Sequence, residues 1–248
     1  MKKLSARSLL ALLLLSPLFL AGCASGNKQF TKQDMSSSGP LKVCRYETPG
    51  IMKSTGTETA LLALVTLAAP GGSALLVVGD EFARARGSDT QSRIPDFGFL
   101  VMNNFLQRIT KERPDWPVPT VVQEPLKEDF AEKCTVIEFK VNRVAYGSID
   151  LTRGGIVLER GLDKGVISNG FLSKATVTMK DSQGEVLWQK SYVYLSENFD
   201  RNMSTDELEA DNFTLLKEEM EFAAEKTAED FIEHLNGKTG EIAGAKEQ

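Results

Sequence analysis

Residues 171–195, FLSKATVTMKDSQGEVLWQKSYVYL, decide the fold. Apolar and polar side chains alternate on both sides of the segment Asp181–Gly184, and the aromatic and β-branched residues in them favour strands. A four-residue connection that ends in glycine is typical of a β-hairpin. The stretch therefore predicts two antiparallel strands. Trp188, Tyr192 and Tyr194 on the second strand suit either cross-strand packing or a binding platform, and we favour packing.

Upstream of the hairpin, the sequence predicts further strands. Apolar and polar residues alternate from 135 to 142, which is typical of a strand with one buried face and one solvated face. Shorter extended runs lie at 41–46, 118–122 and 156–158. The solvated face of the longest strand is expected to carry Glu138, Lys140 and Asn142.

Apolar residues at 3.6-residue spacing predict two helices. The first follows Asp96, a favourable N-cap residue, and ends before Pro114. The second ends at Asn236-Gly237, and we expect its acidic face to be solvated. The apolar stripe of the second helix is Phe213, Leu216, Met220, Ala223, Ala224, Thr227, Phe231 and Leu235. Its acidic face carries Glu218, Glu219, Glu221, Glu225, Glu229 and Asp230.

The segment before the second helix has two interpretations. Asp200 to Asp211 places carboxylate and amide residues at several positions of a calcium-binding loop, but the turn glycine and the final glutamate of that pattern are missing. Ser204 and Glu207 also have the spacing of a helix capping box, which we favour.

The order of these elements predicts an α+β fold in a single domain over residues 41–237, followed by a polar tail at 238–248. We expect a mostly antiparallel sheet with helices packed on one face and a long C-terminal amphipathic helix. The chain has 248 residues, of which 42% are hydrophobic and 25% charged. That balance is typical of a soluble domain and excludes a polytopic membrane protein.

The N-terminus has the pattern of a processing signal. Three cations among the first seven residues precede an apolar run at 9–20, which is shorter than the roughly 20 residues that span a bilayer. The run ends in Leu20-Ala21-Gly22-Cys23, which resembles the lipobox of bacterial lipoproteins. The resemblance implies that residues 1–22 are a signal peptide and that Cys23 becomes the acylated first residue. An ordinary secretory signal is the alternative.

The residues after Cys23 carry two further expectations. In lipoproteins an Asp directly after the acylated cysteine retains the protein in the inner membrane, so Ala24 and Ser25 imply an outer-membrane protein that faces the periplasm. Residues 23–40 contain few apolar side chains and are typical of a flexible tether with a root-mean-square span of about 20–25 Å. Element order and size are also similar to those of small α/β outer-membrane accessory lipoproteins of wall synthesis and secretion.

Two cysteines remain besides Cys23. Cys44 and Cys134 each begin a predicted strand, and an even number of cysteines in an oxidising compartment favours a disulfide. Such a bond would close a loop of about 90 residues and contribute on the order of 4 kcal/mol. The alternative is a pair of buried thiols. A redox-active pair is not expected, because the Cys-x-x-Cys spacing is absent.

Residues 59–79 do not fit an amphipathic pattern. The segment is uncharged over 21 residues, and Pro70-Gly71-Gly72 divides it into two pieces that are each too short to cross a bilayer. It is either a buried helix and strand at the centre of the domain or an element that inserts into a membrane or packs on a partner.

Composition and the absence of known motifs argue against several classes of function. The chain has a single histidine, His234, and contains neither a nucleotide-binding loop nor a hydrolase motif. Its net charge of −5 argues against nucleic acid as a partner, and we expect no cofactor and no metal. We expect a non-enzymatic, membrane-tethered accessory protein that binds an envelope protein or glycan. The alternative is a subunit of an oligomeric envelope assembly or secretion machine that uses residues 59–79, and a periplasmic hydrolase is third.

Overall fold

The computed structural model describes residues 40–55, 84, 87–114, 116–122, 134–150 and 167–236. Five features predicted above lie outside these residues: the lipobox, the tether before Pro40, the apolar segment 59–79, the extended run 156–158 and the tail. The strands are β1 (Leu41–Arg45), β2 (Met52–Ser54), β3 (Thr120–Val121), β4 (Thr135–Asp150), β5 (Ile167–Lys180) and β6 (Val186–Leu195). The helices are α1 (Phe97–Glu112) and α2 (Thr205–Leu235), and a 3₁₀ turn spans Ser196–Phe199.

The predicted hairpin is confirmed as β5 and β6, which pair antiparallel. Its turn is closed by main-chain hydrogen bonds from Asp181 N to Glu185 O and from Gly184 N to Asp181 O, each 3.0 Å long. The Asp181 carboxylate also accepts bonds from the amides of Gln183 and Glu185. Aspartate at this position therefore satisfies amides that the short turn leaves without a ladder partner.

The packing role of the hairpin aromatics is also confirmed. Tyr192 and Tyr194 are buried, and Trp188 stacks on Phe231 of α2 with 5.4 Å between the ring centroids. These rings therefore belong to the core between the sheet and the helices.

Strand β4 is longer than predicted, with 16 residues. A bulge between Val141 and Arg143 shifts its register with β5 and lets the strand continue past the predicted end. Lys140 and Asn142 are exposed as expected, but Glu138 is only 5% exposed. The solvated assignment of Glu138 was wrong, because Lys180 on β5 lies 2.7 Å from its carboxylate and neutralises it inside the sheet.

The fold is α+β as predicted, but the sheet is mixed, so the prediction of a mostly antiparallel sheet was wrong. Its order is β3-β1-β4-β5-β6, and β2 pairs with β4 beyond the end of β1. Three of the five pairings, β1–β3, β1–β4 and β2–β4, are parallel. Parallel neighbours need a long crossover, and the connection from β1 to β4 contains α1.

The parallel register also corrects the predicted disulfide. Cys44 and Cys134 are both buried in one small cluster with Val136, but Cys44 is aligned with Glu138, four residues along the strand from Cys134. At about 3.3 Å per residue this offset is roughly 13 Å, whereas bonded cysteines have Cα atoms within about 7 Å. The structure therefore places two buried cysteines where β1 pairs with β4, with no disulfide between them.

Both long helices pack on the same face of the sheet, as predicted. Phe105 of α1 and Phe231 of α2 lie 5.1 Å apart between ring centroids, and both contact Phe139 of β4, at 5.2 Å and 5.8 Å. All three rings are almost completely buried in one cluster that includes residues of β1, β4, β5 and β6. This cluster is the main hydrophobic core of the described part of the chain.

The predicted helix starts are confirmed in detail. Asp96 caps α1 by accepting a hydrogen bond from Phe99 N. Its carboxylate also accepts bonds from Arg45, the last residue of β1, and from Thr48, three residues later. Ser204 and Glu207 form the reciprocal capping box at the start of α2. The helix is then interrupted by non-helical residues at 210–213.

We predict that Gly147→Ala destabilises the protein strongly. Gly147 has φ +97°, and an added Cβ would lie 2.4 Å from the carbonyl oxygen of Ser54 on β2. Backbone strain together with this clash should lower the free energy of unfolding by about 2 kcal/mol or more, measured by urea denaturation. Gly50→Ala is the matched control, because nothing lies within 4 Å of its added Cβ. Equal losses in both variants would contradict this account.

Candidate functional site

Two groups of titratable side chains lie between α2 and the hairpin, and both are partly or fully shielded from solvent. The first, called the Glu219 cluster, contains Tyr194, Ser196, Arg201 and Glu219. The second, called the His234 cluster, contains Lys190, Tyr192, Asp230 and His234. Perturbed titratable groups that gather at one place are candidates for a functional site.

Glu219 is fully buried on the sheet-facing side of α2. Its Oε1 accepts a hydrogen bond from the hydroxyl of Tyr194 at 2.5 Å and one from the hydroxyl of Ser196 at 2.7 Å. Its Oε2 accepts a bond from Arg201 Nε at 2.6 Å. The buried carboxylate therefore has a cation and two hydroxyl donors, which offset the cost of removing it from water.

The partners of Glu219 are held in place by the sheet. Ser196 Oγ accepts a bond from the amide of Phe171 on β5, and the Arg201 guanidinium lies 4.6 Å from the ring centroid of Phe222. Burial, and then the bond to Glu219, raise the pKa of Tyr194 above its usual value. Its phenol therefore stays protonated and keeps donating. The hydrogen bonds of this cluster therefore link the 3₁₀ turn and α2 to β5.

The His234 cluster joins the last turns of α2 to β6. His234 Nδ1 lies 2.7 Å from the main-chain oxygen of Asp230, and since a carbonyl can only accept, Nδ1 carries the proton. Nε2 is then an acceptor, and it faces the ammonium group of Lys190. Tyr192 lies against the ring with its hydroxyl 3.4 Å from Nδ1.

The electrostatics of the His234 cluster follow from its partial burial. Burial and the charge of Lys190 lower the pKa of His234, so its imidazole is neutral at pH 7. Burial, and then the negative charges of Glu229 and Glu233, raise the pKa of Asp230 to about 6. Burial lowers the pKa of Lys190, against the opposing effect of Asp230. The charge of the His234 cluster therefore changes near pH 6, where Asp230 loses its proton.

The geometry limits the chemistry that His234 can perform. A general base needs a lone pair that can reach a substrate proton, and the only lone pair on this ring points at Lys190. Reaching a substrate would require the Lys190 bond to break first. The arrangement as it stands links a helix end to a sheet edge.

The structure separates the candidate residues that the sequence indicated. Cys23 lies outside the described residues, and Cys44 and Cys134 lie where β1 pairs with β4, in a cluster separate from the core under α2. His234 falls in the second cluster described above. Among the described residues, no group of three or more His, Cys, Asp or Glu side chains is placed to hold a metal ion, and this includes the segment from Asp200 to Asp211.

Sequence reasoning missed Glu219 and Asp230, both of which it placed on the solvated face of α2. Glu219 is buried, and Asp230 is half-buried. A usable signal existed for Glu219, because it lies three residues after Leu216 and next to Met220, within the apolar stripe. The run of neighbouring glutamates obscured that signal.

Comparison with known proteins adds no family assignment: no protein-family model matches the chain, and no match was found among curated proteins. Within the described ranges, no helix combines the length and the apolar character that crossing a bilayer requires.

We predict that Glu219→Ala destabilises the protein by about 3–5 kcal/mol, because it leaves Arg201 and two hydroxyls without their common acceptor. The measurement is urea denaturation at pH 7. Glu218→Ala is the matched control: it removes the adjacent glutamate, which is exposed on the same helix, and should change stability by less than about 0.5 kcal/mol. A change of less than about 0.5 kcal/mol in Glu219→Ala as well would show that the buried hydrogen bonds of Glu219 do not stabilise the fold.

We predict that Asp230→Asn stabilises the protein at pH 8 but not at pH 4. The folded-state pKa of Asp230 is about 6, against an ordinary value of 3.8, so its ionised form costs folding free energy above pH 6. That cost disappears as the carboxyl takes up its proton between pH 6 and 4. Allowing for partial exposure, the gain at pH 8 should be about 1–2 kcal/mol, measured by denaturation at both pH values.

Glu207→Gln is the control of opposite sign for Asp230→Asn. Hydrogen bonds from the amide and the hydroxyl of Ser204 lower the pKa of Glu207, so its ionised form stabilises the fold above its ordinary pKa. The substitution should therefore lower stability slightly at pH 8, and this loss should shrink as the pH falls to 4. A loss of stability in Asp230→Asn at pH 8 would contradict the assignment of a disfavoured carboxylate at position 230.

Proposed function

We propose that the protein is a lipid-anchored accessory protein of a bacterial cell envelope that binds another envelope component and is not an enzyme. One observation carries this proposal: Leu20-Ala21-Gly22-Cys23 follows a cationic start and an apolar run that is too short to span a bilayer. Acylation at Cys23 would hold the protein on a membrane, and Ala24 favours the outer membrane over the inner one.

The position of β1 supports the proposal that a tether joins the folded domain to the lipid anchor. The sheet begins at Leu41, and the carbonyl of Pro40 accepts a 3.0 Å hydrogen bond from Thr135 N at the start of β4. Seventeen residues, 24–40, thus lie between Cys23 and Leu41, the first residue of the sheet. Their polar composition suits a spacer between the lipid and the domain.

The two clusters under α2 support a binding role over catalysis. The Glu219 carboxylate is satisfied by a cation and two hydroxyls, and the His234 lone pair is taken by Lys190. Both groups therefore act between elements of the same chain. A periplasmic hydrolase, the third candidate, would need such groups to face a substrate.

The second candidate function is a subunit of an oligomeric envelope assembly or secretion machine. The uncharged segment 59–79 is the observation that favours it, because 21 such residues on a surface would demand a cover. A soluble variant that starts at Ala24 separates the two proposals. Self-association or liposome binding by this variant would favour the assembly subunit, whereas a monomer that ignores liposomes would favour the tethered accessory protein.

We predict that Cys23→Ser abolishes acylation, because the serine hydroxyl does not replace the thiol in thioether formation. The variant should keep its signal peptide and incorporate no labelled palmitate, as measured by mass spectrometry of the N-terminus and by metabolic labelling. The matched control is Cys44→Ala with Cys134→Ala, which removes the other two thiols and should leave acylation and outer-membrane fractionation unchanged. An unmodified Cys23 in the native protein would overturn the proposed function.

The partner is then identified in the acylated protein. Crosslinking in whole cells with the native chain, compared with the Cys23→Ser variant, should capture an envelope protein or glycan only when the protein is anchored. Equal capture by both variants would show that membrane attachment does not serve the binding role.

A further inference from the structure

One end of the sheet lies next to the point where the predicted tether joins the domain. Lys42 on β1 pairs with Thr120 on β3 and with Val136 on β4. Val136 pairs with Lys180, which pairs with Val186 on β6. This row crosses the whole sheet two residues from Pro40. We call the row, together with the hairpin turn at 181–185 and the chain at 118–119, the anchor end.

Exposed apolar side chains lie at the anchor end on both outer strands of the row, β3 and β6. The described residues include four large hydrophobic side chains that are exposed: Phe99, Val118, Val121 and Val186. Val186 lies in the row itself, and Val121 is paired with Val43, one residue further along β1. Val118 precedes Thr120 by two residues, which makes it level with Pro40, and it is the most exposed of the four at 79%. Three of the four therefore lie at one end of the sheet.

The charges at the anchor end do not favour anionic lipid. Lys180 is paired with Glu138 at 2.7 Å, so its charge is already compensated, and Lys42, the other cation of the row, is buried. The hairpin turn adds Asp181 and Glu185, both acidic. Anionic headgroups would be repelled by these two residues, so any lipid contact here has to be apolar.

The length of the tether selects this end over the opposite one. Seventeen residues reach at most about 60 Å when fully extended, and a polar chain of that length has a typical span of about 20–25 Å. The 16 residues of β4 span roughly 50 Å, and the opposite end carries the pair Ser148–Asn169. For that end to touch the bilayer, the tether would have to run back along the whole sheet, close to its full length.

We propose that the anchor end rests on the phospholipid surface that holds the acyl chains of Cys23, with Val118 and Val186 in the interfacial layer. The inference depends on the lipid anchoring proposed above. Two or three valines make a weak contact alone, but the tether keeps the domain within a few nanometres of the surface, and at such effective concentrations a weak contact orients it. The opposite end then faces the periplasm and its partner.

Nitroxide labels on the acylated full-length protein test this orientation. The variants are Val118→Cys, Val186→Cys and, as the exposed control at the opposite end, Asn169→Cys, each in the background with Cys44 and Cys134 changed to alanine. Each protein is reconstituted on phosphatidylcholine vesicles. The accessibility of each label to dissolved oxygen, which concentrates in lipid, is compared with its accessibility to a water-soluble nickel chelate.

We expect the labels at 118 and 186 to favour oxygen and the label at 169 to favour the nickel chelate. Replacing phosphatidylcholine by phosphatidylglycerol should reduce this difference, because of Asp181 and Glu185. Vesicle-bound protein with all three labels in water, or with only the label at 169 in lipid, would overturn the orientation and leave lipid anchoring intact. Protein that is not acylated and does not sediment with vesicles would overturn both.

Discussion

The ladder between β4 and β5 is the constraint on which the rest of the structure depends. It runs antiparallel from the pair Val136–Lys180 to the pair Asp150–Ile167 with a single bulge, so it fixes which residues of both strands face the helices. Both shorter parallel strands, β1 and β2, find their register on the free side of β4. Slipping the ladder by one residue would turn Phe139 away from α1 and α2 and expose the core.

On the side of the ladder that faces the helices, apolar contacts are combined with the Glu219 cluster and the His234 cluster. The apolar and polar contacts differ in how much free energy is lost when α2 shifts. The Phe105–Phe139–Phe231 contacts remove apolar area from water and tolerate small shifts. The hydrogen bonds of the Glu219 carboxylate do not tolerate such shifts, because a displaced α2 would leave a buried charge without its donors. Apolar packing therefore holds α2 against the sheet, and the hydrogen bonds of Glu219 select one position of the helix along it. Asp230 is less well compensated, which makes the last turns of α2 the pH-sensitive part of that interface.

Local patterns were sufficient to predict most elements, and long-range pairing was not. The hairpin, the Asp96 cap and the Ser204–Glu207 capping box follow from neighbouring residues and are confirmed. The mixed sheet was not predicted, because the partner of β1 depends on how a connection of about 90 residues crosses the domain. The same register separates Cys44 from Cys134. Of the candidate site, His234 could be singled out from composition, whereas burial of Glu219 depends on donors that the fold brings in from β6 and from the segment after it.

The arrangement of parallel and antiparallel strands has a consequence for a tethered protein. Because β1 runs parallel to β4, the chain enters the sheet at the same end as the hairpin turn, and both meet the predicted tether there. If β1 ran antiparallel over the same residues of β4, Leu41 would lie opposite Phe139, roughly 13 Å further along the strand. The direction of β1 and its pairing with the first residues of β4 therefore decide that Pro40 lies at the same end of the sheet as the hairpin turn. The hydrogen bonds of Glu219 tie α2 to the end of β6 and, through Ser196, to β5, so the position of the helix is set relative to the same ladder that aligns β1.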